Sequence, residues 1–136
     1  MFRKLDDMIS VAGQITPADV ADAAAQGFTT IINNRPEGES PDQPRGAEIA
    51  AAAASAGLGY TAIPVDHSGF NQGQIDAMAA ALQQAPGPVL AFCRSGTRST
   101  YLWALASAKT GAPADELVEK AAAQGYDLSP LRSMLG

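Results

Sequence analysis

Four apolar runs of strand length recur along the chain: Met8–Val11, Phe28–Ile32, Leu58–Ile63 and Val89–Phe92. Each is followed, after a polar stretch, by a longer segment with apolar residues at helical spacing or a high alanine content. Thr16-Pro17 reads as an N-cap with proline at the first helical position and Asp19 in the first turn, and Gly27 sits where a C-terminal glycine belongs. Val20, Ala23 and Ala24 supply that helix's apolar face. Further helices are predicted over about 44–56, stopped by Gly57, and over 72–84, ended by Pro86-Gly87-Pro88. Others are predicted over 99–109, with Tyr101, Leu102 and Leu105 facing inward, and over 113–124. Ser129-Pro130 opens a short last one.

Alternation of strands and helices predicts an α/β fold, a parallel sheet flanked by helices on both faces, with Met8–Val11 at an edge. In such a sheet, the loops leaving the carboxyl ends of the strands share one rim, and ligands bind there. Three of those loops carry chemistry. One holds Arg35, one Asp66 and the lone histidine His67, and one the lone cysteine Cys93.

Composition narrows the setting. The 136 residues form one domain, 1–136, long enough for a real core. With 46% hydrophobic and 17% charged residues, the chain reads as soluble and globular. A net charge of −5 argues against nucleic acid or an anionic membrane as partner. A single cysteine excludes an internal disulfide and fits a reducing compartment. No secretory signal or bilayer-spanning run is apparent, so the cytoplasm is expected. One histidine and one cysteine cannot build a zinc site, and no cofactor is expected.

The stretch Cys93-Arg94-Ser95-Gly96-Thr97-Arg98-Ser99 carries the main signal. A strand ending in cysteine, a small loop and a helix start point backbone N–H groups and the positive helix end at one spot. With Arg94 and Arg98 beside it, Cys93 is placed to act as a thiolate nucleophile at the base of an anion cradle. Against this stands the plain reading of a lone cysteine as a small buried hydrophobe. Two arginines, two hydroxyl residues and a glycine are poor choices for a turn inside a core, and they favour the catalytic reading. Asp66 on its own reads as a turn or cap residue. His67 reads as a surface histidine, Trp103 as core, and Arg35 either as a source of positive potential or as an anchor to Glu37 or Glu39.

The run Asp66–Asn71, a helix, then Gly87 through Ser99 resembles the second half of dual-specificity cysteine phosphatases. Ile9–Pro17, Thr30–Pro36 and Leu90–Thr100 together are similar to the bacterial family called beta-lactamase hydrolase-like protein, phosphatase-like domain, over about residues 5–110. The resemblance implies a cysteine-phosphatase-like fold with either phosphatase or sulfurtransferase chemistry. In some members it also implies fusion to a metallo-β-lactamase-type persulfide dioxygenase.

It further implies Cys93, Arg98 and Asp66 as catalytic residues. Arg94, Ser95, Gly96, Thr97, Ser99 and Arg35 fall around the anion, with Ser99 assisting the thiolate. One departure matters. Four residues separate Cys93 from Arg98, where the phosphatases have five and rhodanese sulfurtransferases have four, and Phe92 stands where a phosphatase usually has histidine.

The shorter loop ranks sulfur transfer through a Cys93 persulfide first, drawing on a small anionic sulfur donor and an external thiol acceptor. A phosphomonoesterase with Asp66 as general acid and a phosphoester substrate comes second. A non-enzymatic thiol redox sensor or anion-binding module comes third.

Overall fold

The structure, a computed structural model, describes residues 2–136. Its strands are β1 (Arg3–Lys4), β2 (Ile9–Ala12), β3 (Thr30–Asn33), β4 (Gly59–Ala62) and β5 (Val89–Phe92). The helices are α1 (Pro17–Ala25), α2 (Gly46–Ser55), α3 (Gln72–Gln84), α4 (Thr97–Lys109) and α5 (Ala114–Ala123), followed by a 3₁₀ helix at Ser129–Met134. The sheet order is β1-β2-β5-β3-β4. The ladder from β2 to β4 is parallel, and β1 pairs antiparallel with β2.

The expected parallel sheet is present across β2, β5, β3 and β4, with a two-residue antiparallel strand added at its edge. One expectation is corrected: the run at Met8–Val11 forms an interior strand, fully buried along Ile9–Ala12. The edge belongs to the two exposed residues of β1, which cover the outer ladder of β2.

Side-chain alternation divides the core into two layers. Val20, Ala23, Ile49 and Ala53 from α1 and α2 meet Ile31, Leu90 and Phe92 on one face of the sheet. On the other face, Met78, Leu102, Trp103 and Leu117 from α3, α4 and α5 meet Ile9, Val11, Ile32, Val89 and Ala91. Burial of β5 on both faces explains its unbroken apolar run. At roughly 1.5–3 kcal/mol for each large side chain removed from water, this is the region least able to open.

Local chemistry fixes the helix starts. Thr16 and Asp19 form a reciprocal capping box ahead of α1, and Asn71 and Gln74 form another ahead of α3. Gly27 and Gly57 adopt positive φ after α1 and α2, as chain reversal out of a helix requires. Pro113 is the N-cap of α5 rather than its first residue.

Candidate active site

β5 lies between β2 and β3, so the loop after it opens at the centre of the carboxyl rim, where the chain winds off in two directions. Three loops meet there, tied by one residue. Asn34, fully buried just past β3, has all of its backbone and side-chain polar groups engaged. Its N–H donates to Phe92 O (2.8 Å) and its Nδ2 to Ile63 O (2.9 Å). Its carbonyl accepts from Val65 N–H (2.9 Å), and its Oδ1 accepts from Ser99 Oγ (2.8 Å). The ends of β3, β4 and β5 are thereby stapled together.

Cys93 follows β5 with no exposed surface. The sulfur has a polar neighbourhood: Gly96 N–H donates to Sγ at 3.1 Å, and Arg98, whose pKa is raised chiefly by its hydrogen bond to Glu39, lies close enough to Cys93 to be influenced by it as well. Gly96, at φ +91, caps α4, whose first turn holds Thr97 and Arg98, two residues earlier than the sequence pattern suggests. Arg94 and Ser95 are exposed, and the Ser95 and Thr97 hydroxyls lie 3.1 Å apart.

Glu39 orders the two deep arginines, a role for which the sequence offers no signal beyond its proximity to Arg35. Arg98 donates through Nη1 to Glu39 Oε2 (2.7 Å) and Val65 O (2.6 Å), and through Nη2 to Glu39 Oε1 (2.9 Å). A guanidinium has five N–H groups, so Nε–H and one Nη2–H remain outside these bonds. Arg35 donates to Glu39 Oε1 (2.9 Å), Gln14 Oε1 (3.0 Å) and Ser40 Oγ (3.3 Å).

Two residues expected around the anion therefore point elsewhere. Arg35 is 5% exposed and anchors its own loop through Glu39. Ser99, fully buried, gives its hydroxyl proton to Asn34 rather than to the sulfur.

The Glu39 carboxyl is lowered from 4.5 to about 2, chiefly by the hydrogen bond from Arg98 and, against the opposing effect of burial, by that from Arg35. A carboxyl depressed in the folded state stabilises the fold above its ordinary value and loses that stabilisation as pH falls through the folded value. Stability on the order of 2–3 kcal/mol should therefore be lost between about pH 4.5 and 2. Urea midpoints across this range should fall in the wild type and flatten in Glu39→Gln. Parallel curves would show that Glu39 is not the group responsible.

Asp66 and His67 reach the same rim after β4. Asp66 Oδ1 accepts from both N–H (2.9 Å) and Oγ (2.5 Å) of Ser68. The Ser68 hydroxyl, then its N–H, and more weakly the charges of His67 and Arg98, hold this carboxyl below the usual range. His67 is 81% exposed, with Nε2 at 4.0 Å from Glu39 Oε2. Over the loop lies a cavity of about 320 Å³, walled by Asp66, His67, Phe70, Arg94, Arg98 and Tyr101. Tyr101 is half-buried, packing against the margin of the core and near Phe70 in this wall, whereas Trp103 is 2% exposed and belongs to the core itself. Among the described residues, no three His, Cys, Asp or Glu side chains gather where a metal ion could be held.

A parallel-centred sheet with a Cys…Arg loop at the N-terminus of α4, set between β2 and β3, defines a cysteine-phosphatase-like α/β domain. The chain belongs to the family described as beta-lactamase hydrolase-like protein, phosphatase-like domain, whose model matches residues 1–110. A curated beta-lactamase hydrolase-like protein of Agrobacterium fabrum is 39% identical over 108 residues, 79% of this chain, which spans only 25% of that relative's length.

A solved structure from Neisseria meningitidis, provisionally called a phosphatase, superposes with a TM-score of 0.86 at 36% identity. The match covers 98% of this chain and 95% of that one. Kinase associated phosphatase, bearing serine in place of its catalytic cysteine, shares the fold alone. It matches at 11% identity with a TM-score of 0.76, over 93% of this chain and 83% of its own.

Proposed function

We propose that this domain hydrolyses phosphomonoesters through a Cys93 phosphocysteine. The observation that carries the reading is the posture of Arg98. Glu39 and Val65 O hold one side of its guanidinium, leaving Nε–H and one Nη2–H for two oxygens of a bound oxyanion. The family match and the Neisseria structure support phosphatase chemistry over sulfur transfer, reversing the order that loop length alone suggests.

In this mechanism the Cys93 thiolate attacks phosphorus, the phosphorus–oxygen ester bond breaks, and the departing oxygen takes a proton from Asp66. Water then attacks phosphocysteine, Asp66 takes back the proton, and the thiolate leaves with inorganic phosphate released. Loop N–H groups and the N-terminus of α4 stabilise the charge on the equatorial oxygens.

Because the bonds from Ser68 favour ionised Asp66, the protonated acid is scarce at neutral pH, and activity that depends on it should rise toward acid. Asp66→Asn should accordingly cost little on p-nitrophenyl phosphate, whose leaving group needs no proton. On phenyl phosphate it should cost about 10²-fold or more. Equal losses on both esters would remove Asp66 from the acid role.

One observation favours a second reading. The four-residue loop closes over a sulfur with no exposed surface, a ring suited to a single extra sulfur atom. There, Cys93 would attack the sulfane sulfur of thiosulfate and expel sulfite, and cyanide or a thiol would then remove the sulfur from the persulfide. Intact mass after thiosulfate treatment decides between the two. A gain of about 32 Da on Cys93, with thiocyanate formed from cyanide and no phosphate released from aryl esters, would replace the phosphatase reading.

A further inference from the structure

We propose that Tyr126 is a positioning residue for the anion loop, acting through a single peptide unit. The proposal rests on reading the loop as the site of chemistry. Tyr126 lies between α5 and the 3₁₀ helix, beyond the 1–110 stretch that the family model matches. Its ring is 8% exposed, and its hydroxyl donates to Ser95 O at 3.0 Å. The N–H of that same peptide, belonging to Gly96, donates to Cys93 Sγ at 3.1 Å.

A trans peptide is planar, with its carbonyl and N–H pointing in opposite directions. Holding the oxygen down on the tyrosine therefore turns the N–H up toward the sulfur. Were the peptide to rotate, a carbonyl lone pair would face the thiolate and any bound oxyanion in place of a donor. Glycine at position 96 leaves such rotation cheap, since φ there is already +91. Something outside the loop must select one orientation, and the tyrosine hydroxyl is in place to do so.

Two contacts hold the strut itself. A Cβ at position 96 would overlap the Tyr126 hydroxyl, so the backbone of Gly96 rests directly on it. On the other side, the Arg3 guanidinium lies 5.6 Å from the ring centroid and donates through Nη1 to Gln124 O at 2.6 Å. The short β1 strand and the segment after α5 thus brace the loop from beneath. Burial raises the pKa of the Tyr126 phenol from its ordinary 10, so the hydroxyl stays a donor across the working pH range.

Tyr126→Phe keeps the ring and removes the donor. Three readouts on the full chain decide the matter. Amide hydrogen exchange at Gly96, followed by NMR, should be slow in wild type and at least threefold faster in the variant. Tungstate, a phosphate-like oxyanion used here as the probe, should bind with Kd raised roughly three- to tenfold at unchanged stoichiometry, the scale of one hydrogen bond. The kcat for p-nitrophenyl phosphate should fall by a similar factor.

A purely structural role would instead reduce the fraction of competent molecules, lowering binding stoichiometry at unchanged Kd and speeding exchange at Gly96 no more than at the core amides of β5. That pattern, or a variant identical to wild type throughout, overturns the proposal. Exchange at Gly96 is compared with exchange at the core amides of β5, which report global opening, so acceleration confined to Gly96 supports the proposal and uniform acceleration overturns it. Wild type that neither binds tungstate nor releases phosphate would sink the phosphatase reading, while the exchange measurement still decides the role of Tyr126.

Discussion

Replacing Cys93 by serine is expected to lower kcat/KM for p-nitrophenyl phosphate by a factor on the order of 10⁴ or more, with the fold retained. The activity loss follows from removing the nucleophile, since a neutral hydroxyl in the same place is a far weaker one. Retention of the fold follows from the surroundings of the sulfur. Although Cys93 has no exposed surface, Sγ faces the Gly96 N–H and Arg98 rather than hydrocarbon, and a serine oxygen can accept the same donor. Stability should therefore shift by about 1 kcal/mol or less. Initial rates with the aryl ester and urea midpoints of the two proteins check both halves. A destabilisation of several kcal/mol with most of the activity intact would mean that the thiol is a packing group.

Arg98→Lys should lower kcat/KM by roughly 10²–10³-fold, the scale of losing one preorganised donor set around a transferring phosphoryl group. In the wild type, one planar group does two jobs at once. One side meets Glu39 and Val65 O, and in the phosphatase reading the remaining N–H groups, on the side of the Cys93 sulfur, take the anion. An ammonium is a single point charge with three rotatable donors. Drawn onto Glu39, it no longer presents a fixed pair of N–H groups to two oxygens. The deficit should appear in kcat as well as KM, because charge on the equatorial oxygens grows toward the transition state. A lysine variant with wild-type kcat would show that the guanidinium clamps nothing during the reaction.

Most of the architecture was legible because the signals were local. The α3 range, 72–84, and the β5 range, 89–92, follow from a Pro-Gly-Pro stop and an unbroken apolar run. β1 was not legible, since Arg3–Lys4 is two charged residues without a periodicity of its own and becomes a strand only by pairing with β2. That pairing is also what turned an expected edge strand into an interior one.

At the site, Cys93 and Arg98 stood out by motif spacing and loop position, and Asp66 through the family resemblance. The pairing of Glu39 with Arg98 and that of Tyr126 with Ser95 did not, because the partners lie 59 and 31 residues apart in the chain and neither pairing leaves a trace in the intervening sequence, although Glu39 was legible as a neighbour of Arg35. The ranking of the two chemistries turned on a different contrast. Loop length is a local feature shared with sulfurtransferases, whereas the likeness to phosphatase-like domains extends over most of the chain.

The buried asparagine behind the loops has a mechanical consequence. Since Asn34 continues β3 and bonds to the ends of β5 and β4 and to Ser99 in the first turn of α4, no one of these segments can swing outward without breaking links to the others. The rim of the crevice is thus rigid by construction, closer to a fixed socket than to a jaw. In the phosphatase reading, an incoming ester must match a shape already set, and selectivity is expected to follow from what fits between Phe70, Tyr101 and Arg94 rather than from closure around the guest.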